Sequence, residues 1–189
     1  YLIIRCQTPW LSKFRFAVVD GFSGGGRYSD QRAGSSIAML ETLAKTSEQI
    51  NTRRKIEGLS EVSFEVLFVA NYLEKDWIEL LKQNCAPVIA NLKENHQNIK
   101  LIFECYVGAF EANVEPIVSS LNRYGMRNVV FNLDQCGTTQ VSLNTMHKLM
   151  QFSDKVEIIY TFMISSMLAF LNKKNPAALQ KQLKAFDLS

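Results

Sequence analysis

The chain has 189 residues, of which 47% are hydrophobic and 21% charged, with a formal net charge of +3 and a pI near 8.7. That length suits one domain with a sizeable core, and the balance of apolar and charged residues excludes a disordered chain. A surplus of three positive charges is too small to point to nucleic acid by itself.

No stretch reaches the roughly 18 apolar residues that a membrane helix needs, so no membrane span is expected. The nearest, 156–171, contains Glu157 and several Ser and Thr residues. No basic start with an apolar run and a small-residue cleavage site is present, and the expectation is a cytoplasmic protein. The four cysteines, Cys6, Cys85, Cys105 and Cys136, form no CxxC pair. They read as small buried hydrophobes in a reducing compartment. With His96 and His147 the only histidines, no metal site is expected.

In chain order, 16–19 is a short apolar run closing at Asp20 and followed by a glycine cluster, which predicts a buried strand entering a tight turn. The segment 35–50 carries Ile37, Leu40, Ala44 and Ile50 near helical spacing, with Ser35 or Ser36 as its N-cap. Polar 51–63, including Arg53, Arg54 and Lys55, reads as an exposed connection. A second strand is predicted at 64–70 (FEVLFVA) and a helix over 73–95, interrupted or restarted near Pro87. A third strand follows at 99–106, then a helix over 111–124 ended by Gly125. A fourth strand at 128–133 (NVVFNL) ends at Asp134; a helix follows at 142–152, a fifth strand at 156–162, and helix to the end with a break at Asn175-Pro176.

Apolar strands alternating with helices predict an α/β fold: a Rossmann-like three-layer αβα sandwich with a mostly parallel sheet, forming one domain over 1–189. In such sheets ligands bind beyond the carboxyl ends of the strands. The turn at 20–26 stands at such an end, and glycines there let backbone approach a ligand without a Cβ in the way. Its D-x-F-x-G-x-G spacing is not the G-x-G-x-x-G of dinucleotide sites; it suits a nucleoside with a charged amino-acid tail better than a pyrophosphate.

Three segments together, 18–28 (VVDGFSGGGRY), 34–40 (GSSIAML) and 132–137 (NLDQCG), resemble the three-Cys-motif partner protein family. The resemblance covers about 16–171. It implies a bacterial protein with a class I S-adenosylmethionine-dependent methyltransferase fold, acting on a nucleic acid base or another amine. It also implies a partner, a radical-S-adenosylmethionine-like protein with a three-Cys motif. Carried onto this chain, Asp20, Phe22, Gly24 and Gly26 would line the methionine half of S-adenosylmethionine, and Asp134 would be the catalytic residue holding the acceptor amine.

Two further cofactor positions depart from the family pattern. Asn71 stands where a ribose-binding carboxylate is usual, and Phe110 stands near the place of an acidic adenine contact, where its ring could stack on the base. The turn at 134–137 also lacks the proline and aromatic of D-P-P-Y. These departures motivate an alternative: a catalytically degenerate Rossmann-like module that binds a partner protein, with Phe162, Met163, Met167 and Phe170 as core or partner surface. Arg27 and Tyr28 read as a solvated rim or a carboxylate or nucleic acid contact. His147 reads as packed or solvated, and Cys136 lacks a visible base.

Overall fold

The computed structural model describes residues 1–135 and 141–161, with 176–177 and 180–181 beyond them. The elements in chain order are α1 (Leu2–Arg5), β1 (Lys13–Asp20), α2 (Ser35–Ile56), β2 (Ser63–Tyr72), α3 (Lys75–Asn95), β3 (Ile99–Val107), α4 (Phe110–Arg123), β4 (Asn128–Leu133), α5 (Leu143–Gln151) and β5 (Val156–Tyr160). The five strands form one all-parallel sheet in the order β3-β2-β1-β4-β5. This is a Rossmann-like topology: β1 is central, and the chain moves outward through β2 and β3 before crossing back to β4.

Successive side chains of a strand face opposite sides of the sheet, and the core divides accordingly. Phe14, Phe16, Phe64, Val66 and Phe68 pack beneath α2 and α3 with Leu40 and Leu81. Ala17, Val19, Leu67, Val69, Val129 and Phe131 face the other way and pack with Ile117 and Leu121 of α4. Phe64, Phe68 and Phe131 are fully enclosed, each worth about 2–3 kcal/mol of apolar burial.

The strands lie where the apolar runs predict them. The helices differ in four places, the first being α1, a short helix not expected from the sequence. Helix α2 continues to Ile56, so Asn51 and Arg54 belong to a helix and are buried, against the expectation of an exposed connection from 51. The reason is hydrogen bonding: the Asn51 amide donates to Val62 O and its oxygen accepts from Val62 N. Helix α3 is continuous through Pro87. Pro87 is on the exposed side, where the carbonyl it leaves unpaired can meet water. The N-cap of α2 is Gly34, with Ser35 and Ser36 in the first turn. Elsewhere, Ser142 caps α5 by accepting from Thr145 N, and Gly125 follows α4 at φ +62°. Residue 162 and most of the predicted C-terminal helices lie outside the described residues; 176–177 and 180–181 are helical.

Candidate functional site

The strand order switches sides between β1 and β4, and the tips of these strands hold the glycine turn and Asp134. Asp20 closes β1 and is 1% exposed. Its carboxylate accepts from Ser35 Oγ at 2.6 Å, Ser36 Oγ at 2.7 Å and Asn132 Nδ2 at 3.1 Å. The Phe22 N–H is a further donor. Burial pushes its pKa up from the ordinary carboxylate range, against the opposing pull of these four donors. Asp20 thus ties the β1 tip to the start of α2 and to β4.

Asn71 plays the same part between β1, β2 and β3. Its Nδ2 donates to Gly21 O at 3.1 Å and to Gly108 O at 3.2 Å, and its Oδ1 accepts from Asn113 Nδ2 at 2.7 Å. Its backbone oxygen accepts from both the N–H and the hydroxyl of Ser23. The side chain is 1% exposed and has both amide protons and its oxygen engaged. A carboxylate could not make the two donations.

The glycines are held close by neighbours. A Cβ on Gly25 would lie 2.7 Å from Trp77 Cε3 and 2.9 Å from Leu80 Cδ2; one on Gly26 would lie 2.9 Å from Leu81 Cδ1. Asn84 Nδ2 donates to Gly25 O at 2.7 Å. Gly26 also requires glycine conformationally, at φ +83°. Gly24 differs: it has φ +58° and open space where a Cβ would stand.

Phe110 is 2% exposed, with its ring centroid 5.9 Å from that of Phe22, and it presses on Gly21 together with Leu133. Its ring is part of the core, leaving no free face for a base. Asp134 is exposed just past β4, and Gln135 beside it is buried and donates to the Tyr160 hydroxyl. Glu111, in the first turn of α4, accepts from Ser142 N and from the Thr145 hydroxyl, fixing the start of α5. Cys136 and Gly137 lie outside the described residues.

The structure therefore brings Asp20, Phe22, Gly24 and Gly26 to one strand tip, with Asn71, Phe110 and Asp134 around it. It also engages Asp20, Asn71 and Phe110 within the protein. Among the described residues, Asn71 and Phe110, to which the resemblance assigns the ribose and base contacts, are both engaged within the protein. Sequence reasoning missed Asn132, Asn113 and Asn84, whose amides do much of this fastening; Asn132, a polar residue inside an apolar run, was the available signal.

No cluster of three or more His, Cys, Asp or Glu able to hold a metal ion exists among the described residues. Burial pushes the thiols of Cys6, Cys85 and Cys105 up to about 11, 12 and 11, which makes them poor nucleophiles. His147 is exposed, and His96 is buried 3.6 Å from Glu48, at the C-terminus of α3. Arg27 is on the rim and donates to Gln31 O, while Tyr28 is 61% exposed beneath Arg32. No helix among the described residues is long and apolar enough to cross a membrane. Comparison with protein-family models, with curated proteins and with solved structures returns no match for this chain.

Proposed function

We propose that this chain is a Rossmann-like binding module of the three-Cys-motif partner type, whose function is to dock onto a partner protein. On this reading, the strand tip at which a methyltransferase holds its adenosyl cofactor is fastened shut from within. The observation that carries it is Asn71. Both amide protons and the side-chain oxygen have protein partners, at the position where a cofactor-binding domain needs a free carboxylate. The saturated Asp20 carboxylate and the side chains against Gly25 and Gly26 support the same reading.

The partner to test first is the three-Cys-motif protein that the resemblance implies. Co-expression followed by size-exclusion chromatography should give a joint peak, with no adenosyl compound released on denaturing the purified chain. Separate elution would remove this partner, and a released adenosyl compound would remove the reading.

A second reading is a working S-adenosylmethionine-dependent methyltransferase on a nucleic acid base or another amine. It is favoured by two features: the open, left-handed Gly24 and the exposed Asp134 at the β4 tip. Positioning an amine against a methyl donor needs little more than orientation. Methyl transfer to bulk nucleic acid that disappears in Asp134→Ala would establish it.

A further inference from the structure

Arg54 is 3% exposed near the end of α2, and all five of its N–H groups meet backbone carbonyls. Nε donates to Ser60 O at 2.7 Å, Nη1 to Cys6 O at 3.3 Å and Thr8 O at 3.0 Å, and Nη2 to Pro9 O and Leu11 O, both at 2.8 Å. One guanidinium thus holds the loop between α1 and β1 against α2 at four of its carbonyls. Held between Pro9 and Leu11 is Trp10, 85% exposed, and Ile56, two residues beyond Arg54, is 82% exposed. A loop fastened this firmly loses little freedom when it binds, and a rigid exposed tryptophan is a frequent energetic anchor of interfaces.

A cavity of about 410 Å³ opens at the same end of α2, lined by Ile3, Cys6 and Ile50 with Gln49, Arg53 and Glu57. The surroundings are positive. Residues 1–15 and 53–65 carry six Arg and Lys against three Glu. Glu57 pairs with Arg53, and Glu65 with Lys13 and Arg15. Arg54 is buried and taken up by backbone carbonyls, and Glu61 offsets one further charge, which leaves Arg5 and Lys55 as the cations of this face without a carboxylate partner among the described residues.

We propose that this face docks an acidic segment of a partner protein. An apolar side chain of the partner enters the cavity, Trp10 packs against its neighbours, and carboxylates meet Lys55 and Arg5. A recess at the same end of α2 fits a protruding side chain better than a flat lipid surface. The inference rests on the binding-module reading and names its surface and the chemistry of its partner. The face lies at the amino end of β1, with the length of that strand, roughly 23 Å, between it and the glycine turn.

The test is selection of random 16-residue peptides on the immobilised full chain, followed by titration of one recovered peptide. Recovered peptides should be rich in Asp and Glu around one apolar residue. Binding should weaken at least tenfold in Trp10→Ala and in Lys55→Glu, and fall as salt rises. Circular dichroism should show both variants folded, since each replaces an exposed side chain. Recovery of no peptide, recovery of peptides without acidic residues, or equal binding to Trp10→Ala overturns the proposal. So does Trp10-dependent partition onto phosphatidylglycerol vesicles. If the three-Cys-motif protein binds wild type and Trp10→Ala equally, this face is excluded while the module reading stands. Release of an adenosyl compound on denaturing the chain removes the module reading itself.

Discussion

Asn132 Nδ2 stands 3.1 Å from Asp20 Oδ1, and this bond joins the tips of β1 and β4 where the strand order switches sides. Beside it, Gly21 N donates to Asn132 O at 2.9 Å. A ligand of the kind a doubly wound sheet usually takes at this place would have to compete with bonds the protein already makes.

Asp20→Ala should therefore act on stability. It leaves the buried Asn132 amide and the Ser36 hydroxyl without an acceptor, costing about 3 kcal/mol. A fall in the urea midpoint with an unchanged slope would show it.

The raised pKa of Asp20 sets a pH dependence. A carboxyl with a folded-state pKa above its unfolded value binds its proton more tightly in the folded state. Its contribution to stability is therefore fully present below the unfolded value, about 4, and is lost as pH rises through the folded value. Stability profiles of wild type and Asp20→Asn should diverge in that window, the variant lacking this decline. Parallel profiles would mean that Asp20 titrates normally.

Asn71→Asp separates the two functional readings. The carboxylate would restore the usual ribose ligand, but it would face the Gly21 and Gly108 carbonyls with no proton to give. The expected result is a loss of about 2–4 kcal/mol of stability, measured by chemical unfolding, with no gain in cofactor affinity.

The three glycines of the turn should respond unequally to alanine. Gly24→Ala meets no neighbour and carries only the left-handed strain, about 1 kcal/mol. Gly25→Ala drives a methyl into Trp77, and Gly26→Ala combines the strain with a contact on Leu81, so both should cost more, about 2–4 kcal/mol. Thermal melts of the three variants rank them, and Trp77→Ala should partly rescue Gly25→Ala but not Gly26→Ala.

Much of this architecture is legible in the sequence. Runs such as FEVLFVA and NVVFNL are apolar throughout because both sheet faces are covered, and they mark the parallel strands directly. The glycine turn after Asp20 marks the strand tip. What stayed hidden is polar residues used as fasteners. Asn51 and Arg54 look like surface residues in a chain of letters, yet both are buried because backbone carbonyls take up their N–H groups. The same holds for Asn71: its identity signals a departure from a carboxylate, but its role depends on Gly21, Gly108 and Asn113 converging on it in space. Spacing along the chain carries no information about that convergence.

The central claim is that the strand tip is closed by the protein's own groups. Calorimetric titration of the full chain with S-adenosylhomocysteine tests it most directly. The account predicts no binding heat and no shift in melting temperature up to about 1 mM ligand, where even an affinity of about −4 kcal/mol would register. Saturable binding that Gly24→Ala abolishes would contradict it and restore the adenosyl site.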